Sequence, residues 1–469
     1  MNRKFKYLAK NVGILTVSNF ASKILVFLLV PLYTSILSTA EYGMYDLVVS
    51  TVQLLFPLLS LNIVDAVMRF SMDKAYSTEE IATIGIRYII RSFFPVILFL
   101  LICLKGGLFP QTSGYEILIF LYYAFYVLNQ FFIQFAKGLE KIADMGIAGV
   151  LGTIVLIASN LYFLLVIKNG LYGFFIANIL SQAIPCLYYA IRLKIWNYCK
   201  WIKINKSLQK KMLIYCLPLI TTSLSWWINN TSDRYTVAFI CGAAANGILS
   251  VAYKIPSILN TLQQIFIQAW QISAIKEYGG KRTKEFYGET FVYFNLLMCF
   301  SCSVLILTSK FLAHFLYAND FFVAWKYVPF LLIASVLNSA SGFLGPILLA
   351  VKDSKSMAKS AIYGAAFNII LNILLIYLLG IQGATIATAI SSYIIYAIRK
   401  KAVGDKILIN SYWKVLLSWG ILCILSVTAI FSLNCIIQIL LIIFMLAINW
   451  ESILKMFKSL KIIFYFSKA

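Results

Sequence analysis

Long apolar stretches, separated by short polar segments, follow one another along the whole chain. A helix of ~20 apolar residues is long enough to cross the ~30 Å hydrocarbon core of a bilayer. The pattern predicts an all-α membrane protein with about fourteen transmembrane helices. Because several stretches are short or rich in glycine, about twelve or thirteen crossings remain alternatives. The predicted spans are residues 11–37, 44–68, 81–104, 115–136, 146–167, 171–193, 212–240, 246–271, 286–309, 327–350, 360–379, 383–398, 412–432 and 434–450.

Composition supports a membrane protein over a soluble one. The 469 residues are 61% hydrophobic and 12% charged, whereas soluble domains carry roughly 25% charged residues. This excludes a soluble multi-domain enzyme and favours a transporter-type architecture. The sequence has no G-x-x-x-x-G-K-[ST] phosphate loop. We expect no catalytic residues, no metal ligands and no cofactor.

The distribution of Lys and Arg predicts the orientation of the chain. If the N-terminus is cytoplasmic, the cytoplasmic segments and adjoining helix ends hold 33 of the 40 basic residues. Such a bias is the positive-inside rule, and it predicts an inner-membrane protein with both termini cytoplasmic. The net charge of +23 is spread over many short loops. Membrane lipids are therefore the expected partner, and nucleic acid is not.

The longest polar stretch, residues 194–211, alternates aromatic residues with lysines. Such a segment suits the cytoplasmic membrane surface. It divides the chain into a six-helix bundle (1–193), an amphipathic linker (194–211), a second six-helix bundle (212–400), and two extra helices with a basic cytoplasmic tail (401–469). The two bundles are faintly similar, which predicts parallel, pseudo-symmetric repeats. The matched pairs are Leu15 with Leu219, Ala40 with Ala244, Gly43 with Gly247, Gly152 with Gly364, Asn160 with Asn372, Gly173 with Gly383, and Ala177 with Ala387.

A few ionisable residues fall inside predicted spans of the first bundle, where they usually face a cavity or a partner. Lys23 lies ~18 Å along the first predicted helix, near the midplane. At that depth Gln53 is the closest polar group that the second predicted helix offers. We favour a cavity-lining role for Lys23. For Asp65 and Arg69, spaced i, i+4, we favour a salt bridge within one helix.

The seventh and eighth predicted helices form a hairpin in which Asp233, Arg234 and Lys254 share a depth. An Asp233–Lys254 ion pair would hold the hairpin together, and one positive charge would remain in excess. In the eighth helix Asn260, Gln264 and Gln268 lie on one face. Interhelical hydrogen bonding is one role for such amides. Together with Trp226 on the seventh helix, they also suit a sugar.

Several local strings are similar to those of the Wzx-type polysaccharide-repeat flippases. That family belongs to the multidrug/oligosaccharidyl-lipid/polysaccharide exporter superfamily. The order and spacing of the strings carry the resemblance, and the fourteen-helix layout extends it to the whole chain. The strings are Ser18-Asn19-Phe20-Ala21-Ser22-Lys23, Phe27-Leu28-Leu29-Val30-Pro31-Leu32-Tyr33, Ala40-Glu41-Tyr42-Gly43, Ser232-Asp233-Arg234-Tyr235 and Ser250-Val251-Ala252-Tyr253-Lys254-Ile255-Pro256.

The resemblance implies a flippase that moves an undecaprenyl-diphosphate-linked oligosaccharide across the cytoplasmic membrane for O-antigen or capsule biosynthesis. Transport would proceed by alternating access through a cationic central cavity, with Lys23, Arg234 and Lys254 holding the diphosphate. Other polysaccharide-assembly membrane proteins are further candidate partners. The predicted substrate-binding residues are Lys23, Arg234, Lys254, Gln53, Trp226, Asn260, Gln264 and Gln268, and the ion-coupling candidates are Asp65 and Asp233.

Three other functions remain open. A multidrug extruder of the same fold would bind cations and need an acidic cavity, whereas the predicted intramembrane charge is net positive. A membrane glycan polymerase or ligase would be an enzyme, and the short outer loops argue against it. A passive scaffold of an assembly complex would leave the charge within the membrane without a purpose.

Overall fold

A computed structural model describes residues 23, 25–73, 75–106, 113–198, 205–280, 282–431 and 434–455. The regular secondary structure of these residues is entirely helical, which confirms the predicted all-α class. The α-helices are α1 (Val30–Ile36), α2 (Thr39–Leu59), α3 (Ile63–Ser71), α4 (Thr78–Gly106), α5 (Glu116–Gly138), α6 (Ile142–Asn160), α7 (Gly170–Arg192), α8 (Lys206–Cys241), α9 (Ala243–Ala252), α10 (Lys254–Lys276), α11 (Thr283–Leu316), α12 (Val328–Ala350), α13 (Ser354–Leu379), α14 (Ile381–Val403), α15 (Tyr412–Ile430) and α16 (Cys435–Ile448).

The helices match the predicted membrane spans. Within the described ranges, 11 helices are long and apolar enough to cross a membrane. Three shorter apolar helices, Leu25–Ile36, Ala243–Ala252 and Cys435–Ile448, overlap further predicted spans. The chain is therefore a multi-pass membrane protein. Residues 11–22 and 24 of the first predicted span, 11–37, lie outside the described residues.

Two predicted helices are each broken into two. The span predicted over 44–68 consists of α2 and α3, because Leu61 and Asn62 between them take positive φ angles of 52° and 50°. The span predicted over 246–271 is interrupted at Tyr253, between α9 and α10. Pro256 explains this second break, since it lacks the N–H that would reach the carbonyl of Ala252.

The chain divides into two compact units, Met1–Trp227 and Ile228–Ala469. The division falls inside α8, so this helix contributes one part to each unit. The helix begins at Lys206, within the segment predicted as a linker, and its early residues Leu208 and Met212 are buried. The predicted domain boundaries themselves remain a prediction.

The two units repeat the same order of helices, as the sequence matches predicted. In the first unit α7 packs against α5 and α6, and in the second unit α14 packs against α12 and α13. Helices α15 and α16 pack on each other and on α11, outside that correspondence. Four pairs of helix starts are separated by 204 to 212 residues: Thr39 and Ala243, Glu116 and Val328, Ile142 and Ser354, and Gly170 and Ile381.

Candidate functional site

The hairpin of α8 and α9–α10 in the second unit brings an acid, a base and a phenol together. Asp233 is buried, with 3% of its surface exposed. The Tyr253 hydroxyl donates a hydrogen bond to the Asp233 carboxylate. The Arg234 guanidinium lies 5.5 Å from the centre of the Tyr253 ring, within the range of a cation–π interaction. Tyr253 therefore contacts both charged residues.

This geometry refines the predicted hairpin. The predicted contact within this hairpin was an ion pair between Asp233 and Lys254, and the structure adds a hydrogen bond to Asp233 from the neighbouring residue Tyr253. Lys254 is half-buried in the first turn of α10. The predicted Asp233–Lys254 ion pair stays a prediction. Tyr253 was visible in the string shared with the flippases, but its hydroxyl had no assigned role.

A line of hydrogen bonds connects α8 with α13 in the same unit. The Ser232 hydroxyl donates to Asn368 Oδ1 at 3.0 Å, and Asn372 Nδ2 donates to the same oxygen at 2.9 Å. Asn229 Nδ2 donates to the carbonyl of Ala361 at 3.2 Å. Asn368 and Asn372 are both buried. Asn368 was not among the predicted site residues, although two asparagines spaced i, i+4 in an apolar helix indicate a polar contact between helices.

A further cation, Arg399, lies among three helices of the second unit. From α14, its Nε donates to Ser360 Oγ at 3.0 Å and its Nη1 donates to the carbonyl of Ser341 at 2.9 Å. Both partners are neutral, and Arg399 makes no ion pair in the described part of the chain. Sequence reasoning missed this residue because it counted Arg399 with the basic loop that follows, next to Lys400.

The three amides predicted on one face of the eighth span differ in their exposure. Gln264 and Gln268 on α10 are exposed, and Asn260 is half-buried. Leu259 and Trp270, on the other side of the helix, are buried at 0% and 3%. An exposed amide inside a membrane span is stabilised by water and not by lipid tails.

In the first unit, the break between α2 and α3 surrounds Asp65 with amides. Asn62 Nδ2 donates to Asp65 Oδ2 at 2.7 Å, and Gln134 Nε2 donates to Oδ1 at 3.1 Å. The thiol of Cys216 donates to the carbonyl of Asn62 at 3.4 Å. Asp65 is thus a half-buried carboxylate held by two neutral donors at a helix break.

The predicted salt bridge between Asp65 and Arg69 is wrong. Arg69 is exposed, and in the described residues no ion pair joins it to Asp65. The reason is the left-handed turn at Leu61 and Asn62, which makes Asp65 a first-turn residue of a new helix. Its carboxylate there accepts hydrogen bonds from Asn62 and Gln134.

Three other predicted site residues, Gln53, Lys23 and Trp226, belong to the first unit. Gln53 is half-buried on α2, and Lys23 is exposed. Trp226 on α8 has 62% of its surface exposed. Its neighbour Trp227 instead donates its indole N–H to the carbonyl of Ser50 at 2.9 Å. Two other predicted site residues, Asp233 and Arg234, both contact Tyr253.

Solved structures with the same fold are transporters. The lipid II flippase MurJ, in an inward closed conformation, is 15% identical, with a TM-score of 0.70 over 95% of this chain and 98% of that one. An inward-facing multidrug resistance MATE family transporter is 14% identical, with a TM-score of 0.63 over 86% and 95%. A MOP superfamily transporter from Pyrococcus furiosus, described as having a binding pocket of reverse polarity, is 15% identical, with a TM-score of 0.53 over 84% and 93%.

These likenesses define the class of protein. The fold is the one shared by the lipid II flippase MurJ and the MATE transporters of the MOP superfamily. The chain belongs to the family described as polysaccharide biosynthesis protein, whose model matches residues 8–271, more than half of the sequence. A search of curated protein sequences finds no match.

Proposed function

We propose that this protein is a flippase for an undecaprenyl-diphosphate-linked oligosaccharide repeat unit, acting in surface polysaccharide biosynthesis in the bacterial inner membrane. Both termini are cytoplasmic, and O-antigen and capsule are the candidate products. The observation that carries the proposal is the charge inside the second unit. Arg234, Lys254 and Arg399 are half-buried basic residues on its helices, while Asp233 is the buried acid of the same hairpin.

A net positive interior suits an anionic substrate. A diphosphate offers several charged oxygens, and charge-assisted hydrogen bonds to Arg or Lys are stronger than neutral ones. In a medium of low dielectric constant the attraction is also larger than in water. The multidrug alternative needs an acidic site for cationic compounds. The reverse-polarity description of the Pyrococcus furiosus transporter supports the idea that binding-pocket charge differs with function on this fold.

The sugar part of the substrate requires a second kind of surface. Gln264 and Gln268 on α10 are exposed amides, and Trp226 is a largely exposed indole. Amides can hydrogen-bond sugar hydroxyls, and an indole can pack on the apolar face of a sugar ring. We infer that these residues, with Gln53 and Asn260, contact the oligosaccharide during alternating access. Asp65 and Asp233 remain the candidates for ion coupling.

Charge removal without a large change in bulk tests the proposal. Lys23→Gln and Arg234→Gln should leave the protein at normal membrane levels and reduce surface polysaccharide at least about tenfold, since each removes a charge-assisted contact worth ~1.5–3 kcal/mol. Lipid-linked repeat units should accumulate on the cytoplasmic side. Lys23→Arg should retain partial export, because the charge is kept and only the geometry changes. We expect Lys254→Gln to reduce folding as well, since it removes the predicted partner of Asp233.

Arg69→Gln is the matched control, because Arg69 is an exposed arginine that makes no ion pair in the described residues. It should export at the wild-type rate. The measurement is surface polysaccharide in a host lacking its own copy of the gene, together with membrane levels of each variant. Wild-type export by well-inserted Lys23→Gln and Arg234→Gln variants would refute the proposal. Increased sensitivity to cationic drugs, with unchanged polysaccharide, would support the multidrug alternative.

A further inference from the structure

A cavity of about 470 Å³ lies beside the C-terminal end of α14, in the second unit. Its wall combines aromatic, basic and apolar side chains, among them Tyr393, Tyr396, Lys400, Lys401, Ile407 and Tyr412. None of these residues belongs to the predicted transport site. The cavity is therefore a separate feature of the fold.

The charge of the cavity wall is uniformly positive. Lys400 and Lys401 line it, no acidic residue does, and neither lysine makes a salt bridge in the described part of the chain. Asp405, four residues beyond Lys401, is exposed and does not belong to the wall. The cavity thus carries two positive charges with no acidic counter-charge in its wall.

Three of the lining residues, Lys400, Tyr396 and Tyr412, contact one another. The Lys400 ammonium lies 2.9 Å from the centre of the Tyr412 ring, a close cation–π contact. The Tyr396 and Tyr412 hydroxyls are 3.3 Å apart and share a hydrogen bond. Each of these tyrosines combines an apolar ring with a polar hydroxyl group. Tyrosines of this kind are common in the aromatic belts of membrane proteins, where the bilayer meets water.

The loop between α14 and α15, which closes the cavity, is also fixed. The backbone N–H of Leu408 donates to the carbonyl of Lys284 at 3.0 Å. The Leu408 carbonyl occupies the space that a side chain at Gly288 would need. Ile407, the preceding residue, is buried and forms part of the wall. The cavity is therefore bounded by anchored backbone and not by a free loop.

The position of the cavity indicates what it binds. The apolar span Ile381–Lys406 ends here, so the cavity lies where a membrane helix meets water. Basic pockets between membrane helices bind the headgroups of anionic lipids, and Ile407 and Ile409 offer apolar surface to the adjoining chain. We propose that this cavity binds the phosphate headgroup of an anionic phospholipid, in the leaflet on the side of the Lys400–Lys401 pair. The site is independent of the proposed transport function.

Native mass spectrometry of the purified full chain in detergent tests the site. Titration with phosphatidylglycerol should show one binding event that phosphatidylcholine does not produce. In the double variant Lys400→Gln/Lys401→Gln, that event should weaken at least about tenfold, since each basic residue near an anionic headgroup contributes ~1 kcal/mol. Lys400→Arg/Lys401→Arg should keep it. The matched control is Lys355→Gln/Lys359→Gln, which removes two exposed lysines at the start of α13.

A second measurement needs no substitution and holds even if the glutamine variant does not fold. Acetylation of Lys400 and Lys401 in the wild-type protein should slow when phosphatidylglycerol is added, while Lys355 and Lys359 react at an unchanged rate. Equal protection of all four lysines, or equal phosphatidylglycerol binding by the two glutamine variants, would overturn the proposal. Equal protection by inorganic phosphate alone would also overturn it, because it would show a site for a soluble anion and not for a lipid.

Discussion

Two hairpins at matched positions, α6–α7 in the first unit and α13–α14 in the second, both pack closely at a glycine. Gly152 on α6 lies against Ser181 and Pro185 of α7, and Gly364 on α13 lies against Ile395 of α14. An added Cβ would overlap Ile395 at Gly364, and at Gly152 it would make tight contacts of 3.0 and 3.1 Å with α7. Small residues at matched positions therefore allow close helix packing in each unit.

The same hairpins differ in their polar contacts. In the first unit, Asn160 donates to the carbonyl of Leu156 in its own helix at 2.8 Å. In the second, the matched Asn372 donates to the side chain of Asn368, which also accepts a hydrogen bond from Ser232. Leu156 and Asn368 are matched positions, separated like Asn160 and Asn372 by 212 residues. The repeat has thus kept the packing while the second unit has a polar connection next to Asp233.

The hairpins also differ in length at the turn. Two more residues separate Asn160 from Gly173 than separate Asn372 from Gly383. The first unit forms a π-helix over Leu161–Val166 in this stretch, whereas α13 remains α-helical to its end. A π-helix accommodates more residues per turn than an α-helix. The separation between matched residues of the two repeats falls from 212 at Asn160 and Asn372 to 210 at Gly173 and Gly383. The π-helix accounts for this change, because it lies in the stretch where the first repeat has two extra residues.

The largest effect on stability is expected at the paired glycines that begin α7 and α14. A methyl group on Gly383 would overlap the backbone carbonyl of Leu375, which cannot rotate away. On Gly173 it would meet the Cβ of Phe163 at 2.8 Å and backbone oxygen at 3.2 Å. Gly383→Ala should cost about 3 kcal/mol or more of the free energy of unfolding, and Gly173→Ala about 1–2 kcal/mol.

Denaturant titration of both variants in detergent micelles measures this difference. Gly420→Ala on α15 is a control, because a side chain at that glycine would meet nothing within 4 Å. It should be neutral or slightly stabilising, since alanine favours a helix. Equal losses for Gly383→Ala and Gly173→Ala would mean that the two hairpins tolerate overpacking alike, against the structural comparison.

Much of the fold could be predicted from the sequence because the bilayer imposes a simple rule on it. Apolar stretches of fixed length predicted the spans, and the matches of Gly152, Asn160 and Gly173 predicted the repeat. The helix breaks were less visible. Asn62 takes a left-handed conformation that no local motif required, and the helix break there changes the partners of Asp65.

The sequence predicted which charged residues belong to the candidate site, but it did not predict most of their contacts. Charge within a span is rare, so Asp233 and Arg234 stood out. Tyr253, which contacts both residues, did not stand out in the sequence. A tyrosine in an apolar helix is common, and only the structure shows what its hydroxyl group contacts. Arg399 was overlooked for the opposite reason: a run of basic residues at a helix end is the expected topological signal. Only the packing of α12, α13 and α14 shows that this guanidinium points to serines.

The acids Asp65 in the first unit and Asp233 in the second both accept hydrogen bonds from neutral groups. Gln134→Leu removes one amide donor from the Asp65 carboxylate. The variant should lose about 1–3 kcal/mol of stability, because a half-buried carboxylate is left with fewer partners. Arg69→Gln should change stability by less than about 0.5 kcal/mol. A larger loss of stability for Arg69→Gln than for Gln134→Leu would indicate that Asp65 and Arg69 do form the salt bridge that was predicted from the sequence.

Apart from the control variants, the smallest expected effect on stability comes from making the second hairpin resemble the first. Asn368→Leu places at this position the residue type that the first unit has at Leu156. It removes the acceptor of Asn372 and of Ser232, but Asn372 can then donate to the backbone carbonyl of residue 368, as Asn160 does to that of Leu156. The net cost should therefore be only about 1 kcal/mol.

Polysaccharide export by the same variant shows what the polar connection is for. If the link from Ser232 to Asn368 serves transport, Asn368→Leu should reduce export several-fold at a normal membrane level. The matched change in the first unit, Leu156→Met, conserves volume and should leave export unchanged. If Asn368→Leu instead lowers the free energy of unfolding by several kcal/mol and exports in proportion to the folded protein, the connection is structural. The hairpins would then differ in stability and not in function.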